Sequence, residues 1–358
     1  MSVTTTADRP QPGDASRSGD ASRSGGASRS AEAERSVPRA GWAVVAAKEF
    51  GDHLLSARFV VLGLIMAIAA AVPLYFIGAQ VRESAQGAKD FPALYIALFW
   101  LTPSVNDQIS LPSVVGFLAL VGPLLGLAFA FDSINGERAD GTLPRLLSQP
   151  IHRDDVVNGK FAAGLAVIAM VLLVMVGAVT AFALIRLGIV PEPNELLRIV
   201  IWMLVTLTYV ALWLAFGMLL SVAVRRAATS ALVGFGTWLL LTIFGSLIVS
   251  LIGGVVAPLV GTAEDQLRNV GIQEGLTRLL PNTLYQEASL TLLNPQVTTV
   301  STPTTIGQFA QAQQRIPSLF SLDQSFLLVW PQIVTLVAMM VICFAAAYLL
   351  FMRQEVRA

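Results

Sequence analysis

The sequence predicts an all-α integral membrane protein. Six transmembrane helices are expected, with an N-terminal interfacial helix before the first and a small helical extracytoplasmic segment between the fifth and sixth. Three observations carry that prediction. Of the 358 residues, 55% are hydrophobic and 13% are charged, about half the charged share of a soluble domain, so the chain lacks the polar surface to cover itself with water. Six apolar stretches each reach span length, which takes about 20 residues across ~30 Å of hydrocarbon. Lys and Arg collect in the short loops of one side, as they do in cytoplasmic loops.

Residues 1–40 come first and contain no apolar core before Trp42, so they do not form a signal peptide. Residues 13–18, 19–24 and 25–30 are three copies of a Gly/Asp/Ala/Ser/Arg hexapeptide, with a degraded fourth copy ending at Ser36. Such a segment has nothing to bury and is expected to be a disordered cytoplasmic tail, dispensable for insertion. From Gly41 to Arg58 the character changes. Trp42, Val45, Ala46, Phe50, His53 and Leu54 recur at helical spacing while Lys48, Glu49, Asp52 and Arg58 point elsewhere, which predicts an amphipathic helix in the headgroup plane.

The spans follow at 59–80, 111–131, 161–187, 198–223, 229–256 and 326–352, with interiors that lack Asp, Glu and Lys. Pro73, Pro123 and Pro331 each remove a helix donor. Tyr75, Phe76, Trp202 and Trp330 sit at span ends, where aromatic rings favour the interface. Small residues four apart, Gly177 with Ala181, Ala211 with Ala215 and Ser230 with Gly234, permit close helix approach. The apolar run 91–101 is too short to cross and reads as an outer interfacial helix. Between spans five and six, 263–280 spaces Leu267, Val270, Leu276 and Leu279 on one side. Pro281 should end that helix, and Asn282 and Thr283 should cap a second one carrying Leu284, Ala288 and Leu292. The Thr-rich stretch 298–305 reads as a loop.

Topology follows from charge. Lys48, Arg58, Arg138, Arg145, Arg153, Lys160, Arg225, Arg226, Arg353 and Arg357 fall on one side. Arg82, Lys89, Arg186, Arg198, Arg268, Arg278 and Arg315 fall on the other, spread over longer loops. Both termini are therefore expected in the cytoplasm of a multi-pass plasma-membrane protein.

Several chemistries are excluded. No Gly-x-x-x-x-Gly-Lys-Ser/Thr loop occurs, so ATP is not bound by that device here. There is no Ser-His-Asp arrangement and no His-Glu-x-x-His helix. The single cysteine, Cys343, reads as a small buried apolar residue, and His53 and His152 lack a second ligand at metal spacing. The net charge of zero gives no reason to expect nucleic acid. Spans without acidic groups weaken an ion-coupled carrier and leave energy to come from another subunit. No catalytic, cofactor or metal residue is assigned.

One inner segment stands out. Asp132, Ile134, Glu137, Arg138, Gly141, Thr142, Leu143, Ser148, Pro150, Ile151, Arg153, Gly159 and Lys160 form a charged, Gly-punctuated loop between two spans. In that order and spacing they resemble the cytoplasmic coupling loop of type-2 ABC exporter permeases. Lys48, Glu49 and Phe50, followed by Ser56, Ala57, Arg58 and Phe59, are similar to the elbow helix that precedes the first span in the same families. The layout is similar to permeases for multicopper-enzyme maturation, sodium export or antibiotic export, and the motif does not choose among them.

The resemblance implies a six-span permease domain at 41–358, with an extracytoplasmic loop at 257–325. It implies a partner P-loop ABC ATPase that holds the ATP, a second permease copy or paralogue, and surrounding lipid. Asp132, Glu137, Arg138, Gly141, Thr142, Leu143, Pro150, Arg153 and Lys160 would form the ATPase-coupling loop, and Lys48, Glu49, Phe50 and Arg58 the elbow. Glu137 and Arg138 would bond to the ATPase, Gly141 would turn the backbone, and the Thr142 hydroxyl would cap a helix by accepting from an exposed amide. Leu143 and Leu146 would enter an ATPase groove. The alternative is a non-transporting membrane anchor or assembly subunit whose loop docks a soluble partner.

Overall fold

The computed structural model describes residues 41–84, 93–105, 109–142, 152–258, 262–294 and 321–354. The repeat tail, Leu143, Leu146, Ser148, Pro150, Ile151 and the Thr-rich stretch lie outside them. Among the described residues six helices are long and apolar enough to cross a membrane: Ala57–Val81, Val114–Ala139, Arg153–Leu187, Pro193–Ala223, Ala227–Val256 and Leu322–Arg353.

In chain order, α1 is Gly41–Leu54 and α2 is Ala57–Ser84. A short α3, Leu94–Trp100, leads to a two-residue antiparallel pairing of Ser104–Val105 with Ile109–Ser110. The second span is α4, Val114–Ala130, which breaks at 131–134 and resumes as α5, Asn135–Ala139. Next come α6, Arg153–Phe182, ending in a π turn at Ala183–Leu187, and α7, Pro193–Ala223. The fifth span joins α8, Ala227–Leu239, to α9, Gly245–Val256, through a π turn at Leu240–Phe244. At the far end lie α10, Ala263–Thr277, and α11, Pro281–Leu293, before the last span, α12, Leu322–Arg353.

The bundle is built around α4 and α7. Their most apolar stretches are 67% and 61% buried, against 17% and 11% for the fifth span and α12, whose outward Leu232, Leu251, Val334 and Ile342 suit lipid. Glycine sets the α4–α7 distance. A Cβ on Gly126 would lie 2.6 Å from the Val210 carbonyl oxygen and 2.8 Å from the Leu214 nitrogen, so only a bare backbone fits that crossing. Nearby, Pro123 has no N–H to give the carbonyl of Ala119, one helical turn earlier. The Tyr209 hydroxyl on α7 donates to that oxygen at 2.8 Å and restores what proline removes.

Several expectations change. The 91–101 run is no interfacial helix, because every residue of α3 is buried, enclosed by α4, α7 and α11. Trp202 is 1% exposed rather than an interface anchor, and its indole nitrogen donates to Ser289 Oγ on α11 at 3.0 Å. Tyr75 and Trp330 do face outward. Pro281 opens α11 at its first position, with Leu280 as the residue before it, so Asn282 and Thr283 are not the cap; proline suits a helix start because that N–H is unbonded anyway. Nothing lies within 4 Å of a Cβ on Gly177, so that glycine marks no close approach. Arg198, expected in an outer loop, is buried in α7, donating to the Leu292 carbonyl at 2.8 Å and to Ser325 Oγ at 3.0 Å.

Candidate functional site

The residues singled out by sequence converge where α1, α5 and the start of α6 meet, at the end of the bundle opposite α11. The charged stretch 131–160 is only partly a loop. Helix α6 begins at Arg153, eight positions before the apolar run does, so Arg153 and Lys160 sit on helix turns. Hydropathy does not see those turns, because charged residues form helix as readily as apolar ones.

The turn between α4 and α5 is anchored by α7. Ser221 Oγ accepts from the amides of Ile134, at 2.9 Å, and Asn135, at 3.2 Å, satisfying donors that a helix start leaves open. At the other end of α5, Gly141 has φ +68°, the Gly141 amide donates to the Arg138 carbonyl at 3.3 Å and the Thr142 amide to that of Glu137 at 3.0 Å. This pair of bonds with a left-handed glycine is the Schellman helix stop. Gly141 thus does turn the backbone. Thr142 does not act as expected: its hydroxyl donates to the Glu137 carbonyl at 3.2 Å, so it closes a helix rather than capping the start of one.

Lys160 ties two elements together. Its side chain is 4% exposed, and its ammonium lies 2.8 Å from Glu137 Oε1 on α5 and 3.0 Å from Glu49 Oε2 on α1. Glu137 Oε2 is buried without a hydrogen-bond partner among the described residues. Alongside, Arg58 at the start of α2 grips Asp132 with two bonds, of 2.8 and 2.5 Å, and its guanidinium lies 5.0 Å from the Phe131 ring centre. Paired bonds of this kind fix orientation as well as energy. The expectation that Glu137 and Arg138 reach outward to a partner changes accordingly, since both are engaged within the chain. The exposed tip is Ala139, Asp140, Gly141 and Thr142.

Helix α1 is docked on α6. The Trp42 amide donates to Asp155 Oδ1 at 3.0 Å, and the His152 amide to Asp155 Oδ2 at 3.1 Å. A Cβ on Gly159 would lie 2.7 Å from Val45 Cβ and 2.8 Å from the Trp42 carbonyl oxygen, so glycine sets this contact too. Asp155, Gly159 and Lys160 present one face of α6 to α1, and Phe50 packs half-buried beside them. Burial alone would raise the Glu49 carboxyl, but Lys160, and after it Lys48, hold it below the usual carboxylate range. Burial also lowers His53, whose ring meets Phe129 edge-on at 5.1 Å. Lys48 bridges Glu49 at 3.3 Å and Asp52 at 3.2 Å. Its own burial opposes the charged form, and the two carboxylates outweigh that and raise its pKa.

Sequence reasoning missed three residues, Gln354 first among them. Gln354, just past α12, accepts from Arg138 Nη2 with Oε1, donates from Nε2 to the Val222 carbonyl at 2.9 Å, and accepts from Arg153 Nη1 with its own carbonyl at 3.3 Å. A lone Gln near a chain end carries no signal by itself. Ser221 and Asp155 were equally silent.

Among the described residues no three His, Cys, Asp or Glu side chains converge as a metal site would require. A crevice of about 580 Å³ between α2 and α6 is lined by Met66, Ala70, Met170, Met175 and Phe182 and offers apolar contact only. The arrangement as a whole is mechanical: an exposed turn wired by charge to three spans and a docked helix.

Comparison with known proteins places the chain in a family. The chain is 29% identical over 168 residues to a protein described as "Probable ABC transporter permease protein NosY" of Stutzerimonas stutzeri, a match covering 44% of this chain and 60% of that protein. It is 32% identical over 109 residues to the protein of the same description in Pseudomonas aeruginosa, covering 28% of this chain and 38% of the relative. The match thus spans less than two thirds of each relative's length. Residues 43–356 match the family described as "ABC-2 family transporter protein", which takes in every described helix but the first residues of α1, and the chain belongs to that family.

Proposed function

We propose that this chain is the membrane-spanning permease subunit of an ATP-driven ABC exporter, coupling hydrolysis by a separate cytoplasmic P-loop ATPase to substrate movement. The observation that carries this reading is the Lys160 bridge from Glu49 on α1 to Glu137 on α5, beside the exposed 139–142 tip. In this reading the ATPase docks on the tip, which faces the cytoplasm with both termini, and α1 is the elbow helix lying at the lipid surface. Glu137 and Lys160 act by holding the tip in register with the elbow, so a push on one is felt by the other. The working unit contains a second permease, identical or related, since one chain presents one coupling turn and an ATPase dimer presents two faces.

The experiment is stimulation of its partner P-loop ABC ATPase by purified permease in lipid. Gly141→Val forces a β-branched residue into a left-handed conformation, and Glu137→Ala leaves Lys160 with one partner. Both should lower stimulation at unchanged membrane abundance. A tip that plays no part predicts unchanged stimulation per folded permease, whatever the two variants cost in stability. Wild-type stimulation by both variants would overturn the coupling role and leave the anchor reading.

A further inference from the structure

Helix α12 is the least buried of the spans, yet it is pinned at both ends by polar contacts. At the loop end Gln354 receives Arg138 from α5 and Arg153 from α6 and bonds back to Val222 on α7. Toward the far end Gln332 Nε2, ten positions into the helix, donates to Glu287 Oε2 on α11 at 3.1 Å, and Ser325 Oγ nearer its start accepts from Arg198 on α7 at 3.0 Å. Between Gln332 and Gln354 α12 is unbroken helix, and 22 residues at 1.5 Å each separate the attachments by ~33 Å. The far attachment is to the element that closes that end of the bundle. Leu284, Tyr285, Ala288, Ser289, Leu292 and Leu293 of α11 are all buried. Tyr285 stacks on Tyr209 with ring centres 4.5 Å apart.

We propose that α12 is a tie rod and Gln354 its inner positioning residue, carrying displacement of the α5 turn to α11 at the far end. The inference rests on the reading above that an ATPase acts at the loop end. The choice of α12 over α7, which also touches both ends, follows from burial. Helix α7 has neighbours on most sides, whereas α12 faces outward along much of its length, so its movement is resisted mainly along its α7 face, where Arg198 bonds Ser325 and Gln354 bonds Val222. A push on the 139–142 tip moves Arg138, and Arg138 pulls on Gln354. Pro331 supplies no amide donor, so the turn beside Gln332 can yield while the attachment to Glu287 holds.

The test uses the full chain with its ATPase in lipid vesicles, in a Cys343→Ala background, with Gln286→Cys as an exposed reporter on α11. The readout is the rate of labelling by a membrane-impermeant maleimide, with and without ATP and vanadate. The parent should show a change of at least threefold on nucleotide trapping. Gln354→Leu, which removes both side-chain bonds, and Gln332→Leu, which removes only the bond to Glu287, should both abolish that change. Gln354→Glu keeps an acceptor for Arg138 and should restore it, so a loss through misfolding is distinguished from loss of the link. If the parent stimulates the ATPase but its labelling does not respond, or if both leucine variants respond like the parent, the tie rod is overturned while the coupling reading stands. If the parent does not stimulate the ATPase, the coupling reading has failed first.

Discussion

The two ends of this bundle are held together by opposite kinds of force. At the loop end, segments far apart in sequence meet through charges: Lys160 with Glu49 and Glu137, Arg58 with Asp132, and Arg138 and Arg153 with Gln354. At the far end, α3 and α11 are inserted between α4, α7 and α12 and held chiefly by aromatic packing, with charged contacts where the buried Arg198 bonds the Leu292 carbonyl and Ser325 and where Arg278 pairs with Glu287. Phe99 meets Trp202 edge-on at 5.2 Å and Tyr95 Oη lies 2.7 Å from Thr180 Oγ1. Ionic contacts near a surface respond to salt, pH and an approaching partner, whereas a dry apolar plug responds to none of these. The difference gives the loop end the properties of an input and the far end those of a closure.

The largest effect should come from Lys160. Replacing it by Met leaves Glu49 and Glu137 without their shared cation, and Glu137 already has one buried oxygen unpartnered. Removing one partner from a buried ionic cluster costs about 3 kcal/mol. The full chain in detergent should show a clear fall in thermal midpoint. Adding Glu49→Gln and Glu137→Gln should regain most of it, because no uncompensated charge remains. A neutral Lys160→Met would mean that the cluster holds nothing.

Gly126 probes the region between the two ends. Gly126→Ala should cost about 2 kcal/mol, since the atoms its Cβ meets belong to the α7 backbone and cannot swing aside. Gly177→Ala, where the space is open, should be neutral or slightly stabilising through helix propensity. Thermal midpoints of the two variants should differ in sign or nearly so. Equal losses at both sites would mean that the α4–α7 crossing is looser than its geometry indicates.

At the far end Tyr209→Phe removes the donor that replaces the N–H missing from Pro123. Leaving the Ala119 carbonyl unbonded should cost about 1 kcal/mol, independent of salt up to molar levels. Pro123→Ala in the same chain should recover it by supplying the helix amide. The Lys160 effect, by contrast, should shrink at low pH, and that contrast is what separates the two ends.

How much of this was legible in the sequence depends on the range of the interaction. The six spans were legible because each is a continuous apolar run, and Gly141 because a left-handed helix stop is a local matter. The start of the third span was missed, since Arg153, Asp154, Asp155 and Lys160 interrupt hydropathy without interrupting helix. Helix α3 was misplaced because a short apolar run fits an interface and a core equally well, and only its neighbours decide. The motif residues were found, but not who their partners are. Lys160 pairs with Glu49 and Arg138 with Gln354, 216 positions away, and no spacing rule reaches that far. Leu143 and Pro150 lie outside the described residues.

The smallest effect separates the two ends by pH. Helix α1 carries two groups whose pKa values are lowered where it docks. His53 is lowered by burial, and Glu49 by Lys160 and Lys48 against the opposing effect of burial. The signs agree. A group with a depressed pKa contributes stability that is complete above its free value and is lost as pH falls toward the docked value. For His53 the loss begins below about 6.5, and for Glu49 below about 4.3. Acid should therefore loosen α1 from α6 in two stages, the first as an imidazolium forms against Phe129 and the second as Glu49 releases Lys160. Amide hydrogen exchange, corrected for the intrinsic pH dependence of the chemistry, is the measurement. Residues 41–54 should lose protection between pH 7 and pH 4, while 281–293, held through buried Leu284, Tyr285, Ala288, Ser289, Leu292 and Leu293, should keep theirs. A loss of protection in α11 that tracks that in α1 would show that the two ends are one cooperative unit, and the division drawn between them would fall.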